Sequence, residues 1–256
     1  MAKVVSFSNQ KGGVGKTTSC VNIAAQIAKK DKKVLLLDMD PQGNATSGLG
    51  ISKSKIKNTI YDVIIGRCDI KDTIVKTKFK NLSVCPATID LAAAELELYE
   101  LEEDENFAKI ALDSVKDDFD YIFIDCPPSL ALLTLNALVA CDTVLVPMQC
   151  EYYALEGLSQ LTHTIRTVKR SMNKNIDFEG ILLTMYDGRT NLTIQVAEEI
   201  KKFFGPKVYK TVIPRNVRLS EAPSHGLPIF AYDRLSRGAE SYGNVCKEID
   251  EKNRRG

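Results

Sequence analysis

The chain has 256 residues, with 34 Lys and Arg against 33 Asp and Glu, a formal net charge of +1 and 44% apolar side chains. That balance excludes an acidic disordered chain, a collagen-like repeat and a histone-like protein of overwhelming positive charge. Such a length can bury a sizeable core without disulfides or metals. Apolar runs of strand length recur at residues 4–7, 34–37, 82–86, 121–124, 143–146, 181–183 and 208–213. They are continuous rather than alternating, as in strands covered on both faces. Helical spacing separates them, most clearly over residues 16–30 and 191–204. Strands alternating with helices predict an α/β fold: a doubly wound, mostly parallel sheet with helices on both faces, in one domain spanning residues 1–256. The acidic stretch 95–105 reads as a solvated helix and its exit loop.

No stretch reaches 18 apolar residues, and Met1-Ala2-Lys3 runs straight into a strand pattern without a signal segment. A cytosolic protein is expected. The seven cysteines agree, being odd in number, scattered and without a C-x-x-C pair, as suits free thiols in a reducing compartment. His163 and His225 lack partners at metal-ligand spacing. The small net charge is unevenly divided. Residues 1–160 carry 17 basic and 22 acidic side chains, a net of −5; residues 161–256 carry 17 and 11, a net of +6. Between 201 and 218 stand Lys201, Lys202, Lys207, Lys210, Arg215 and Arg218 with no acid. This is either a solvated basic surface or a face for a polyanion.

The strongest motif is Lys11-Gly12-Gly13-Val14-Gly15-Lys16-Thr17-Thr18, between the first strand run and the first helix. Glycines there let backbone N–H groups approach a phosphate chain, and the helix N-terminus adds partial positive charge. Lys16 can reach the β- and γ-phosphates, and the Thr17 hydroxyl can ligate Mg²⁺. A dinucleotide fingerprint is the near competitor, but Thr18 stands where its third glycine belongs. The general P-loop pattern is also departed from: Gln10 replaces its first glycine, and Lys11 is added.

That departure resembles the deviant Walker A box of the ParA/MinD group of P-loop ATPases. Asp38-Met39-Asp40-Pro41-Gln42-Gly43-Asn44 is similar to the group's second acidic box, and Asp125-Cys126-Pro127-Pro128-Ser129 to its Walker B. Residues 150–157 and 212–226 resemble segments of the Soj-type chromosomal ParA proteins. The resemblance implies ATP and Mg²⁺ as cofactors, with residues 11–18 on the phosphates. It gives Asp40 the attacking water and Asp125 the metal, through water; Asp38 is either a further support for Mg²⁺ or a turn cap. Catalysis would rest on Lys11, Lys16 and Asp40. Lys11 would reach across an ATP-dependent sandwich dimer to the partner's phosphates. Pro214 and Asn216 would lie at the adenine, or form a plain turn. Arg189 and Arg218 would contact double-stranded DNA without sequence preference, or form surface salt bridges. A ParB-like protein would stimulate hydrolysis and release the DNA, segregating chromosome origins or plasmids. The protein would be cytoplasmic, and nucleoid-associated when ATP-bound.

Three rivals stand beside this reading. A MinD-like membrane-cycling ATPase needs an amphipathic C-terminal helix, and residues 248–256 hold one bulky apolar side chain. An electron-transfer reductase similar to the nitrogenase iron protein needs cysteines at the dimer axis. The third is a DNA-binding regulator that uses ATP only to assemble.

Overall fold

The structure is a computed structural model and describes residues 1–100 and 106–255. Its strands are β1 (Lys3–Phe7), β2 (Val34–Asp38), β3 (Val75–Lys76), β4 (Leu82–Cys85), β5 (Tyr121–Asp125), β6 (Thr143–Gln149) and β7 (Asp177–Thr184). They form a seven-stranded sheet in the order β3-β4-β2-β5-β1-β6-β7. Every described pairing is parallel except the antiparallel β3–β4 pair at one edge.

Successive side chains of a strand enter opposite cores. Val4, Leu35 and Leu37 lie in one; Val5, Phe7, Val34 and Leu36 lie in the other. With both faces buried, the strands show no polar alternation. The first core is covered by α3 (Ile60–Ile64), α4 (Leu91–Glu100), α5 (Phe107–Asp113), α6 (Leu132–Ala140), α7 (Ala154–Ser171) and α8 (Asn191–Phe204). The second is covered by α1 (Lys16–Ala28), α2 (Asn44–Gly48), α9 (Val217–Glu221), α10 (Ile229–Tyr232) and α11 (Arg237–Arg255). Helices on both faces of a mostly parallel sheet make this a doubly wound α/β fold.

Two elements differ from the sequence expectation. The two-residue edge strand β3 was not anticipated; two residues carry no periodicity. Residues 208–213 do not form a ladder strand: only isolated bridges join Val208 to Ile181 and Pro214 to Tyr186. The amides of Tyr209 and Ile213 do donate to β7, at 2.9 and 2.8 Å. Those of Lys210 and Thr211 instead donate to the Glu248 carboxylate on α11, at 2.9 and 2.8 Å. Pro214, with no N–H, cannot extend the pairing. The acidic stretch is helical as far as Glu100; its remainder, 101–105, lies outside the described residues.

Tyr242, Val245, Cys246 and Ile249 turn the apolar side of α11 into the core beside α1, where the Tyr242 and Ser19 hydroxyls are 3.1 Å apart. Among the described residues no helix is long and apolar enough to cross a membrane. The parallel arrangement brings the C-terminal ends of β1, β2, β5, β6 and β7, at Phe7, Asp38, Asp125, Gln149 and Thr184, to one edge of the sheet. Ligands of open α/β sheets bind at that edge.

Candidate nucleotide site

The loop from β1 to α1 lies on this edge. Gly13 and Gly15 have φ of +72° and +84°, a left-handed conformation that other residues adopt only under strain. Gly15 is the N-cap of the thirteen-residue α1, whose first amides have no intrahelical partners. Gly12, Gly13, Val14 and Gly15 therefore form a turn opening onto a helix N-terminus, and a Cβ placed on Gly13 would meet nothing within 4 Å. The loop is tied down from three directions. The Thr184 hydroxyl donates to the Val14 carbonyl at 2.7 Å, the Gln149 amide to the Gly13 carbonyl at 3.1 Å, and the Asn9 amide to the Pro147 carbonyl at 2.8 Å.

The two lysines of the loop occupy different environments. Lys16 is buried, and its ammonium donates to the Lys11 carbonyl at 3.1 Å. Burial lowers its pKa, while Asp125 and Asp40 pull the other way. Lys11 is half-exposed, and its ammonium is paired with Glu151 at the turn into α7. Thr17 and Thr18 follow Lys16 in the first turn of α1.

Asp38 and Asp125 end β2 and β5 as register partners, and both are fully buried. Asp38 accepts from the Thr46 amide and hydroxyl at 2.8 and 2.7 Å and from the Asp40 amide at 3.2 Å. Burial outweighs those bonds and pushes its pKa up to about 6. Neither carboxylate oxygen of Asp125 has a partner at hydrogen-bond geometry. Burial first, and the Asp38 charge second, raise its pKa well above the usual range; the nearby Thr17 hydroxyl and Lys16 ammonium temper this. Asp40 is almost buried and accepts from the Gln42 amide at 2.9 Å. Cys126 is packing: burial raises its thiol pKa, and its sulfur accepts from the Ser8 hydroxyl at 3.3 Å.

These residues fit a magnesium nucleotide. An orphaned buried carboxylate beside a threonine hydroxyl is a poor apolar core but a suitable outer support for a hydrated divalent cation. Among the described residues no three His, Cys, Asp or Glu side chains converge to hold a metal alone. A cation ligated chiefly by phosphate and water does not need such a cluster.

Pro214 and Asn216 line a cleft of about 480 Å³ together with Gly15, Thr18 and Met185. Met185 has a left-handed φ of +48°, and the Asn216 side-chain oxygen caps α9 through the Arg218 amide at 2.8 Å. The structure thus brings Pro214 and Asn216 beside the loop. Arg189 and Arg218 are exposed and paired with acids. Arg189 holds Asp187 through two bonds of 2.8 and 2.7 Å; Arg218 holds Glu221 at 2.9 Å and lies 3.4 Å from Asp233. Sequence reasoning missed Thr46, Gln149 and Thr184, which carry no local signal. Glu151 stood in a noted segment without a role.

A glycine turn entering a helix at the carboxyl edge of a parallel sheet, with acids ending the neighbouring strands, defines a P-loop nucleotide-binding protein. A family model described as an AAA domain matches residues 2–178. The chain is 59% identical to the sporulation initiation inhibitor protein Soj of Bacillus subtilis, over 97% of this chain and 98% of that one. It is 49% identical to the chromosome-partitioning ATPase Soj of Treponema pallidum, over 97% of each. Among solved structures, it matches a cobyrinic acid a,c-diamide synthase from Mycobacterium smegmatis with bound ATP analogue and magnesium. That match has a TM-score of 0.86 and 34% identity, over 99% of this chain and 96% of that one. The chain belongs to the Soj/ParA family of chromosome-partitioning P-loop ATPases.

Proposed function

We propose that residues 1–256 act as one DNA-partitioning ATPase domain. It dimerises on binding ATP, holds double-stranded DNA without sequence preference, and releases it when a ParB-like partner stimulates hydrolysis. The observation that carries this reading is the divergence of the two loop lysines. Lys16 is turned into its own loop, whereas the Lys11 ammonium lies outside it at the surface. Within one subunit the Lys11 ammonium meets Glu151 outside the phosphate cradle; the phosphates of a facing subunit would give its charge a role at the nucleotide.

Bound ATP and Mg²⁺ supply the reacting phosphoryl group and the charge that screens it. In the proposed assignment, the residue 12–17 turn binds phosphate oxygens and Lys16 neutralises them. Thr17 would hold Mg²⁺, with Asp125 and Asp38 as its supports. Asp40 orients the attacking water and receives its proton. The partner subunit's Lys11 adds charge where the transition state develops it. Pro214 and Asn216 flank the base. Arg189 and Arg218 exchange their carboxylates for DNA phosphates, a sequence-independent contact. The protein is then cytoplasmic, and on the nucleoid only while ATP holds the dimer together.

The test measures ATP turnover with and without double-stranded DNA and a ParB-like protein, alongside sedimentation in ATP. Turnover should rise when both are added. Lys11→Ala should bind ATP and stay monomeric. Normal dimers of that variant, or turnover indifferent to both additions, would overturn the proposal.

A further inference from the structure

The Lys11 ammonium is already engaged within its own subunit. It pairs with Glu151, and the side chains are 44% and 48% exposed. The two residues belong to segments docked on each other. The Lys11 amide donates to the Asn9 side chain at 3.0 Å, and Asn9 is bonded to Pro147 on β6. Gln10 reaches Gln160 on α7 at 2.7 Å. Glu151 is fixed in the same turn, its amide donating to the Gln149 carbonyl at 3.1 Å and its carbonyl accepting from the Ala154 amide at 2.9 Å. Gln149 also holds the Gly13 carbonyl. The ion pair therefore closes between two backbones anchored to one strand end, which reduces the ordering cost that makes most surface pairs weak.

We propose that Glu151 is a positioning residue for Lys11: it retains the ammonium on its own subunit until phosphates presented by a second copy of this chain compete for it. The inference rests on the trans role of Lys11 proposed above. Lys11 brings one positive charge, and a carboxylate and a phosphate chain in trans compete for it. A triphosphate carries more negative charge than one carboxylate, so it can draw Lys11 away; a diphosphate offers less. The pair thus raises the threshold for dimerisation, and only a strongly anionic phosphate chain in trans overcomes it. Forming a symmetric dimer breaks two such pairs, one per subunit, so the effect enters the dimer constant squared.

Glu151→Gln removes the charge and keeps the size. Its thermal midpoint and its ATP affinity, measured on protein too dilute to dimerise, should match the parent. The dimer constant in ATP should rise about two- to fivefold per subunit, or about four- to twenty-five-fold in all, the range expected for a half-exposed pair. Glu151→Asp, which keeps the charge on a shorter arm, should fall between the two. An unchanged or smaller dimer constant in Glu151→Gln, with Lys11→Ala monomeric as expected, would overturn this inference alone. Normal dimers of Lys11→Ala would instead overturn the trans role beneath it.

Discussion

Asp38 and Asp125 stand opposite each other across the β2–β5 ladder, fully buried, and only Asp38 has hydrogen-bond donors of its own. Two desolvated carboxylates side by side resist double ionisation. Thr46 stabilises charge on Asp38, while Asp125 faces the Thr17 hydroxyl and the Lys16 ammonium. A divalent cation at Thr17 would relieve both the desolvation and the repulsion. The pair is asymmetric: one carboxylate is fixed by the protein, and the other has no hydrogen-bond partner.

Stability should carry the pair's signature in pH. The Asp38 pKa rises from 3.8 unfolded to about 6 folded, and that of Asp125 also rises, so the native state holds these protons more tightly. The Asp38 contribution is fully present below the unfolded value and is lost as pH climbs through about 6, and that of Asp125 changes in the same direction. In the nucleotide-free protein, the stability difference between parent and Asp38→Asn should therefore shift against the parent from pH 4 to pH 7. Urea unfolding at stepped pH measures it. A difference independent of pH would contradict the raised pKa.

Asp125→Asn should spare the fold and weaken the response to Mg²⁺. A ligand at about one hundred times its Kd adds about 2.7 kcal/mol to stability. In the parent, MgATP should raise the melting temperature well above ATP with EDTA. In the variant that magnesium-dependent increment should shrink or vanish. An increment equal to the parent's would remove Asp125 from the cation's support.

Lys16 and Asp40 should separate binding from turnover. Lys16→Ala removes the buried ammonium within the loop and should abolish nucleotide binding, read by loss of a fluorescent ATP analogue's signal. Asp40→Ala should bind ATP and dimerise, with turnover down by about 10²–10⁴, the usual worth of a positioned base. Normal turnover by Asp40→Ala would return that residue to its visible task of capping the Gln42 amide.

Much of this fold was legible because its strands are buried on both faces and its phosphate turn must use glycine. Gly13 and Gly15 announce their backbone conformations in the sequence, and six of seven apolar runs became strands. Residues 208–213 form no ladder strand because the Lys210 and Thr211 amides in their middle are claimed by Glu248, a partner on a distant helix. The site was legible at its local motifs, 11–18 and 38–44, and opaque wherever remote segments meet. Thr184 anchors Val14 from 170 residues away, and Gln149 anchors Gly13 from 136. Neither side chain belongs to a residue pattern that marks such a contact.

Arg189 offers the most discriminating test of DNA binding, because its carboxylate partner is adjacent. Asp187 grips it through two bonds, and that grip holds the Asp187 carboxyl at about 2, so the acid stays ionised at any working pH. For a DNA phosphate to take Arg189, Asp187 must release it and then lie near a second anion. Arg189→Ala should weaken retention on DNA and leave ATP affinity unchanged, and the same holds for Arg218→Ala. If each dimer loses two phosphate contacts, the slope of log affinity against log salt should fall by about 2. Asp187→Asn should act oppositely, freeing the guanidinium and removing the repulsion, so DNA is retained at higher salt than by the parent. A filter-binding series across 50–300 mM salt separates these outcomes. If Asp187→Asn and Arg189→Ala both leave the slope unchanged, Arg189 is an ordinary surface pair and the DNA face lies elsewhere.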